Sequence, residues 1–413
     1  MAEAEPLAPE ARVVVAGAGQ AGAALAAKLR AEGFAGPIAL IGEEAAPPYQ
    51  RPPLSKKYLL GELPRERLFL KPQAWYAEHD VDLRLGRCVE AIDRAARTVR
   101  LSDGERLPYD RLAWVAGARP RRLPAEIGGD LPGVLTMRDL ADADAMAGRL
   151  AAGARALVVG GGYIGLEAAA VLAARGLSVT VLEAAPRILG RVACAETAAW
   201  FADLHRSRGV TVREGAALTR IEPGEDGAAA RAVLADGETL DLDFAVVGIG
   251  VIPNAEAPEA AGLEMALGGV KVDAAARSSD PAIYAAGDVA ALPLGGQVLR
   301  LESVQNAIDQ AEAAALSMLG RGAPYAPTPW FWSDQFDVKL QIAGLARGWD
   351  RIVARPGTRE GAASHWYFRG ETFIAVDAMN DPRAYMTGKR WLEAGRSPDA
   401  DALADPAADL KTL

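Results

Sequence analysis

The sequence predicts an α/β fold in which one β/α unit is inserted into another of the same kind, followed by a C-terminal α+β domain. Three observations carry this. Gly17-Ala18-Gly19-Gln20-Ala21-Gly22 directly follows the apolar run Val13-Val14-Val15-Ala16. Gly160-Gly161-Gly162-Tyr163-Ile164-Gly165 directly follows Ala156-Leu157-Val158-Val159. Finally, Ala282-Ile283-Tyr284-Ala285-Ala286-Gly287-Asp288 reads as a further short strand, with which the chain rejoins the first unit.

Each glycine turn reads strand, tight turn, helix start. The first glycine permits the turn and the second lets backbone approach a pyrophosphate. The third lets helix and strand pack closely, with the helix N-terminus facing the phosphate charge. Each copy also leads to an acid at the end of its second strand, Glu43 after Pro37–Gly42 and Glu183 after Ser178–Leu182. A carboxylate there accepts hydrogen bonds from ribose hydroxyls and repels a 2′-phosphate. One such turn also serves ordinary packing. Two, each with strand, helix and acid in register, predict two Rossmann-like dinucleotide-binding domains and two bound dinucleotides.

Along the chain, Gln20 to Glu32 is expected as an Ala-rich first helix. A Pro-rich irregular stretch, Pro47 to Lys57, follows, where Ser55 is placed to cap a short helix through Tyr58, Leu59 and Leu60. Thr98–Leu101 and Arg106–Pro108 form a hairpin, and the strand Arg111–Ala116 ends at Gly117. The second unit carries its own hairpin with a turn at Asp236-Gly237, and its strand Phe244–Val247 runs into Gly248-Ile249-Gly250. From about Pro324 the chain becomes rich in tryptophan, with β-like runs at Lys339–Gly344 and Ser364–Phe368. The expected domains are 1–117 with 248–324, 118–247, and 325–413.

The 413 residues exceed what one core serves, and half of them are apolar. A net charge of −9 excludes a global attraction to nucleic acid or anionic membrane. Residues 1–10 are a short polar lead-in without a signal-peptide pattern, and no apolar run approaches the roughly 18–20 residues of a membrane span, so a cytoplasmic location is expected. Cys88 and Cys194 form no CxxC and are expected as buried apolar residues. His79, His205 and His365 have no ligand spacing, so neither a metal site nor histidine catalysis is expected. The electron chemistry is left to organic cofactors.

Taken in order, the first fingerprint, Arg51-Pro52-Pro53-Leu54-Ser55-Lys56, the second fingerprint ending in Glu167, Gly287-Asp288, Glu302-Ser303-Val304-Gln305-Asn306 and Pro329-Trp330-Phe331-Trp332-Ser333-Asp334-Gln335 resemble the FAD-dependent NADH:ferredoxin reductases of bacterial oxygenase systems. The likeness covers nearly the whole chain.

The resemblance implies that the first fingerprint (Gly17, Gly19, Gln20, Ala21, Gly22) binds FAD, with Glu43 on its adenosine ribose. Arg51, Ala116, Gly117, Arg119, Gly287 and Asp288 would join that site. The helix starting at Glu302, Ser303 and Val304 would aim its N-terminus at the flavin. Gly160, Gly162, Tyr163, Ile164, Gly165, Glu183, Arg191 and Gly250 would bind NADH. Lys56 and Glu167 would pair near the flavin N5 atom and act in hydride transfer, with Trp330 beside the ring where the partner docks. For Trp349, Trp366 and Trp391 core packing is the expectation.

Glu183 favours NADH over NADPH, although Arg187 and Arg191 follow it. The expected function is electron transfer from NADH through FAD to an acidic [2Fe–2S] ferredoxin that supplies a haem-thiolate or Rieske-type oxygenase. Docking candidates are Arg65, Arg67, Lys71, Arg347, Arg383, Lys389 and Arg390; the protein is expected as a monomer or weak dimer. The rival readings are an NADH oxidase, peroxidase or coenzyme A disulfide reductase, a quinone reductase, and an NADH-responsive binding flavoprotein of the apoptosis-inducing-factor type. No cysteine falls in Tyr49–Leu60, where the first group would need one.

Overall fold

The computed structural model describes residues 6–413; Met1–Glu5, the start of the polar lead-in and of the expected first domain, lies outside the described residues. Two compact units emerge. One comprises the chain up to Gln50 with Arg65–Arg119 and Ile252–Pro327; the other comprises Arg51–Pro64, Pro120–Val251 and Thr328–Leu413. Compactness thus groups Arg51–Pro64 and the C-terminal segment with the second glycine turn, whereas the expected division follows the cofactor fingerprints.

In the first unit a five-stranded parallel sheet runs Ile283–Ala285, Arg111–Trp114, Val13–Ala16, Ile38–Gly42, Val81–Leu85. The central strand carries four consecutive apolar residues, all buried, because helices cover both faces of such a sheet. Val15 pairs with Leu40 on one side and Ala113 on the other. Helices Gln20–Ala31 and Val304–Met318 bury Leu25, Leu29, Ala311 and Met318 in the same core. The expected hairpin is antiparallel, with Val99 opposite Leu107.

The second unit repeats the plan. Its parallel sheet runs Thr211–Glu214, Ser178–Glu183, Arg155–Val159, Phe244–Val247, Val134–Leu135. A separate five-stranded antiparallel sheet is formed by the C-terminal segment, in the order Trp330–Gln335, Val338–Gly344, Thr372–Met379, Ala363–Arg369, Arg351–Pro356. Helix Pro382–Glu393 packs on it through Gly388, where an added Cβ would stand 2.6 Å from Val376 and 3.2 Å from Trp366. Trp366 and Trp391 are buried in that core.

Three local expectations are corrected. Ser55 caps no helix: Pro52–Ser55 is a single 3₁₀ turn, and the serine side chain goes elsewhere. Trp349 is 37% exposed, resting edge-on against Tyr367 while its other side meets solvent. Cys88 is half-buried rather than buried; Cys194 is buried as expected, in a core cluster with Tyr367 and Ala375, and as N-cap of helix Ala195–Ser207 its Sγ also accepts from the Thr197 amide at 3.4 Å. Among the described residues no helix is long and apolar enough to cross a membrane, and no cluster of His, Cys, Asp or Glu could hold a metal ion.

Candidate functional site

In the first unit, the three glycines of the first turn meet three different environments. Gly17 has φ +125°, and a Cβ there would lie 2.3 Å from the Val115 carbonyl oxygen. At Gly22 a Cβ would lie 1.9 Å from the Gly17 carbonyl, so helix and turn touch backbone to backbone. At Gly19 a Cβ would meet nothing within 4 Å. Gly19 is also the N-cap of helix Gln20–Ala31 and supplies no side-chain cap, so the first-turn amides receive none. Two positions are closed by the fold and the middle one is open, which is the shape an entering pyrophosphate requires.

Other expected residues gather at this end of the sheet. Gly42 approaches Ala18 so closely that a Cβ would stand 2.5 Å from its side chain, and exposed Glu43 therefore follows directly beside the turn. Ala116 and Gly117 (φ +64°) follow the neighbouring strand, which ends at Trp114. Gly287 (φ +77°) lies against Ala21 and Ala307, each 3.5–3.6 Å from a Cβ built on it, and its amide donates to Gln310 Oε1 at 2.9 Å. That contact brings the Gly287-Asp288 turn to the start of both helices. Ser303 caps helix Val304–Met318 by accepting from the Asn306 amide, and Glu302 pairs with Arg300 at 2.7 Å. Arg119 is engaged by its own chain, donating to Asn254 Oδ1 at 2.9 Å and pairing with Glu256.

In the second unit the pattern repeats. Gly160 (φ +107°) would place a Cβ 2.5 Å from the Gly248 carbonyl, and Gly165 one 2.2 Å from the Gly160 carbonyl. At Gly162 there is nothing within 4 Å. Glu183 is drawn over the turn: its Oε2 accepts from the Gly161 amide and its Oε1 from the Ala185 amide, both at 2.8 Å. Arg187 donates to the carbonyls of Ala193 and Cys194, which fixes it as a brace of the following loop. Exposed Arg191 has its guanidinium 3.9 Å from a Cβ built on Gly250, so these two expected residues do meet. Ile164 is exposed, whereas Tyr163 packs its ring on Phe331, 4.9 Å between centroids, with its hydroxyl buried.

Within the same unit, Glu167 sits in the middle of helix Tyr163–Ala174, 6% exposed. A carboxylate at that depth needs compensation. Lys56 Nζ lies 2.6 Å from Oε2, Ser55 Oγ donates to the same oxygen at 2.9 Å, and Ser333 Oγ donates to Oε1 at 2.8 Å. The predicted Lys56–Glu167 pair therefore forms, supported by two serines that sequence reasoning had not assigned to it. Both serines stood inside quoted motifs, but a buried carboxylate 112 residues from one and 166 from the other leaves no local signature. Arg51 donates to the Arg138 carbonyl at 2.8 Å. Trp330 begins its strand half-buried, with Lys389 Nζ 5.6 Å above its ring and Trp332 at 5.7 Å.

Two open-centred glycine cradles on parallel sheets, with acids at the second-strand ends, define a two-dinucleotide oxidoreductase. Residues 11–311 match the pyridine nucleotide-disulphide oxidoreductase model and residues 330–413 match the reductase C-terminal model, and the chain belongs to the former family. It is accordingly a flavoprotein oxidoreductase that carries FAD and uses a nicotinamide dinucleotide. The chain is 42% identical over 405 residues to a ferredoxin–NAD(P)(+) reductase of Sphingomonas sp, covering 97% of each. It is 40% identical to the ferredoxin–NAD(+) reductase component of the anthranilate 1,2-dioxygenase system of Burkholderia cepacia, covering 97% of this chain and 98% of that one. Among solved structures it resembles putidaredoxin reductase in its covalent complex with putidaredoxin, with a TM-score of 0.94, 37% identity and 97% of each chain covered.

Proposed function

We propose that this protein passes electrons from NADH through FAD to an acidic [2Fe–2S] ferredoxin that supplies an oxygenase, in the cytoplasm, as a monomer or weak dimer. The observation that carries the reading is the pair of cradles, each blocked at its outer glycines and open at Gly19 or Gly162. The relatives named for ferredoxin reduction, one of them within a dioxygenase system, support the choice of acceptor.

The first cradle fits FAD: Gly17, Gly19, Gln20, Ala21 and Gly22 hold the pyrophosphate, and Glu43 holds the ribose. Arg51, Ala116, Gly117, Arg119, Gly287, Asp288, Glu302, Ser303, Val304 and Trp330 complete the proposed set. The second, with Gly160, Gly162, Tyr163, Ile164, Gly165, Glu183, Arg191 and Gly250, receives NADH. The functional division would be 1–117 with 248–324 for FAD, 118–247 for NADH and 325–413 for the partner side. Bound FAD supplies a two-electron acceptor able to release electrons singly. The chain's own residues position and compensate charge: Lys56, held on Glu167, presents a cation where hydride adds negative charge.

Glu183 selects NADH. Its carboxylate is fixed by two backbone amides and stands where a 2′-phosphate would bring like charge. Of the two arginines that follow, Arg187 is committed to loop carbonyls. The family also includes disulfide chemistry, but neither cysteine is near the Pro52–Ser55 turn in sequence, which favours an external protein acceptor.

Anaerobic stopped-flow tests the reading. Mixing with NADH should bleach the flavin, and a second mixing with a [2Fe–2S] ferredoxin should reoxidise it at a rate that falls with ionic strength. Reoxidation only by oxygen or quinone would overturn it.

A further inference from the structure

Ser333, Asp334 and Gln335 end the tryptophan-rich strand, and the proposed function uses only Trp330 at its other end. Ser333 and Gln335 are both fully buried, as is His205 on helix Ala195–Ser207. Ser333 Oγ donates to Glu167 Oε1 at 2.8 Å, Gln335 Nε2 donates to Ser333 Oγ at 3.2 Å, and Gln335 Oε1 meets His205 Nε2 at 2.8 Å. The line of contacts therefore continues from Lys56 through Glu167 into the interior of the second unit.

Chemistry gives this line one direction. An ionised carboxylate only accepts, so Ser333 must give its single hydroxyl proton to Glu167. The serine oxygen is then left to accept, which turns the Gln335 amide nitrogen toward it. The Gln335 oxygen consequently faces His205, and the imidazole must carry its proton on Nε2. Nothing competes for the ring: His205 Nδ1 is buried without a hydrogen-bond partner, and burial lowers the imidazole pKa, which keeps it neutral. Phe336, edge-on at 5.1 Å, closes one side of it.

We propose that Ser333, Gln335 and His205 are positioning residues for Glu167: a one-way chain of donors that fixes the carboxylate by the oxygen Lys56 does not use, and thereby fixes the Lys56 ammonium. The inference rests on the reading that the Lys56–Glu167 pair serves hydride transfer. Without the chain Glu167 keeps Lys56 and Ser55 on Oε2, but it can rotate about its terminal bond. Affinity for the coenzyme is unaffected, since none of these residues belongs to the cradle.

Three variants and one spectrum test it. Gln335→Glu keeps size and shape but only accepts, so Ser333 turns its proton away from Glu167; Ser333→Ala removes the link. Each should slow flavin reduction at saturating NADH about tenfold, the size expected for one lost supporting hydrogen bond to a charge, with the NADH dissociation constant changed less than twofold. In the wild-type holoprotein, ¹⁵N-histidine NMR should show His205 neutral and protonated on Nε2. A proton on Nδ1 would overturn the one-way chain whatever the variants do. If Lys56→Met slows reduction while Ser333→Ala and Gln335→Glu do not, the positioning role falls and the hydride reading stands. If Lys56→Met also leaves reduction unchanged, the hydride reading itself has failed.

Discussion

Lys56 Nζ lies 2.6 Å from Glu167 Oε2, a contact between residues 111 apart in the chain. The pair is mostly shielded, with side chains 16% and 7% exposed, so it belongs to the class in which removing one partner strands the other. Lys56→Met should leave Glu167 with two hydroxyl donors and no cation. Flavin reduction by NADH should fall about a hundredfold, as for other lost preorganised charges. Glu167→Gln should fall by a similar factor, and the double variant should be little worse than either single one. Additive losses, measured by stopped-flow, would mean the two residues act separately.

The glycines give a second test, because their roles separate. Gly165→Ala would force a methyl to within 2.2 Å of the Gly160 carbonyl, and Gly22→Ala one to within 1.9 Å of the Gly17 carbonyl. Each must move its helix, so the first should lose coenzyme binding with FAD retained, and the second should yield protein without FAD. Gly162→Ala meets no protein atom, so its thermal midpoint should stay at the wild-type value while KM for the coenzyme rises about tenfold. A Gly162→Ala variant with unchanged KM would show that nothing closely approaches this turn.

Much of this was legible in the sequence. The parallel sheets follow from short, wholly apolar strands such as Val13–Ala16, which only a two-sided core accommodates. The role of the third glycine follows from spacing, since Gly22 and Gly165 touch Gly17 and Gly160 five residues back, whereas Gly17 and Gly160 themselves meet Val115 and Gly248 from distant parts of the chain. Ser55, Ser333, Gln335 and His205 were not legible as a group, because only three-dimensional packing joins Ser55 to Glu167 and runs the line on from Glu167 through Ser333 and Gln335 to His205. Arg187 was ambiguous for a similar reason: an arginine after the ribose acid fits a phosphate contact as well as a structural one, and only the fold shows its guanidinium turned back to the Ala193 and Cys194 carbonyls.

Coenzyme choice rests on Glu183. Wild-type kcat/KM should favour NADH over NADPH by tenfold or more, given the several kcal/mol that juxtaposed like charges cost. Glu183→Gln removes the charge and keeps one acceptor for the Gly161 or Ala185 amide. NADPH efficiency should then rise while NADH efficiency falls, with Arg191 the side chain available to the 2′-phosphate. Equal use of both coenzymes by the wild type would remove Glu183 as the selector.

Asp377 supplies a prediction about stability. It is fully buried on strand Thr372–Met379; its Oδ2 accepts from Thr197 Oγ1 at 2.8 Å and from the Tyr367 hydroxyl, while Oδ1 is buried without a hydrogen-bond partner. Burial pushes its carboxyl up to about 6, against the two hydrogen bonds that favour the anion. A folded-state pKa above the unfolded value contributes stability present in full below about pH 4 and lost as pH rises through 6, a difference of about 3 kcal/mol. His365, which meets Thr197 Oγ1 at 2.7 Å, and His205 oppose this, because burial lowers both and their contribution is lost on acidification. Asp377→Asn mimics the neutral carboxyl at every pH. Its stability relative to wild type should therefore be higher at pH 7.5 than at pH 4.5 by the greater part of that difference, whatever constant cost its amide nitrogen adds. Denaturant midpoints at the two pH values measure the change, and an identical difference at both would show that Asp377 titrates at its ordinary position.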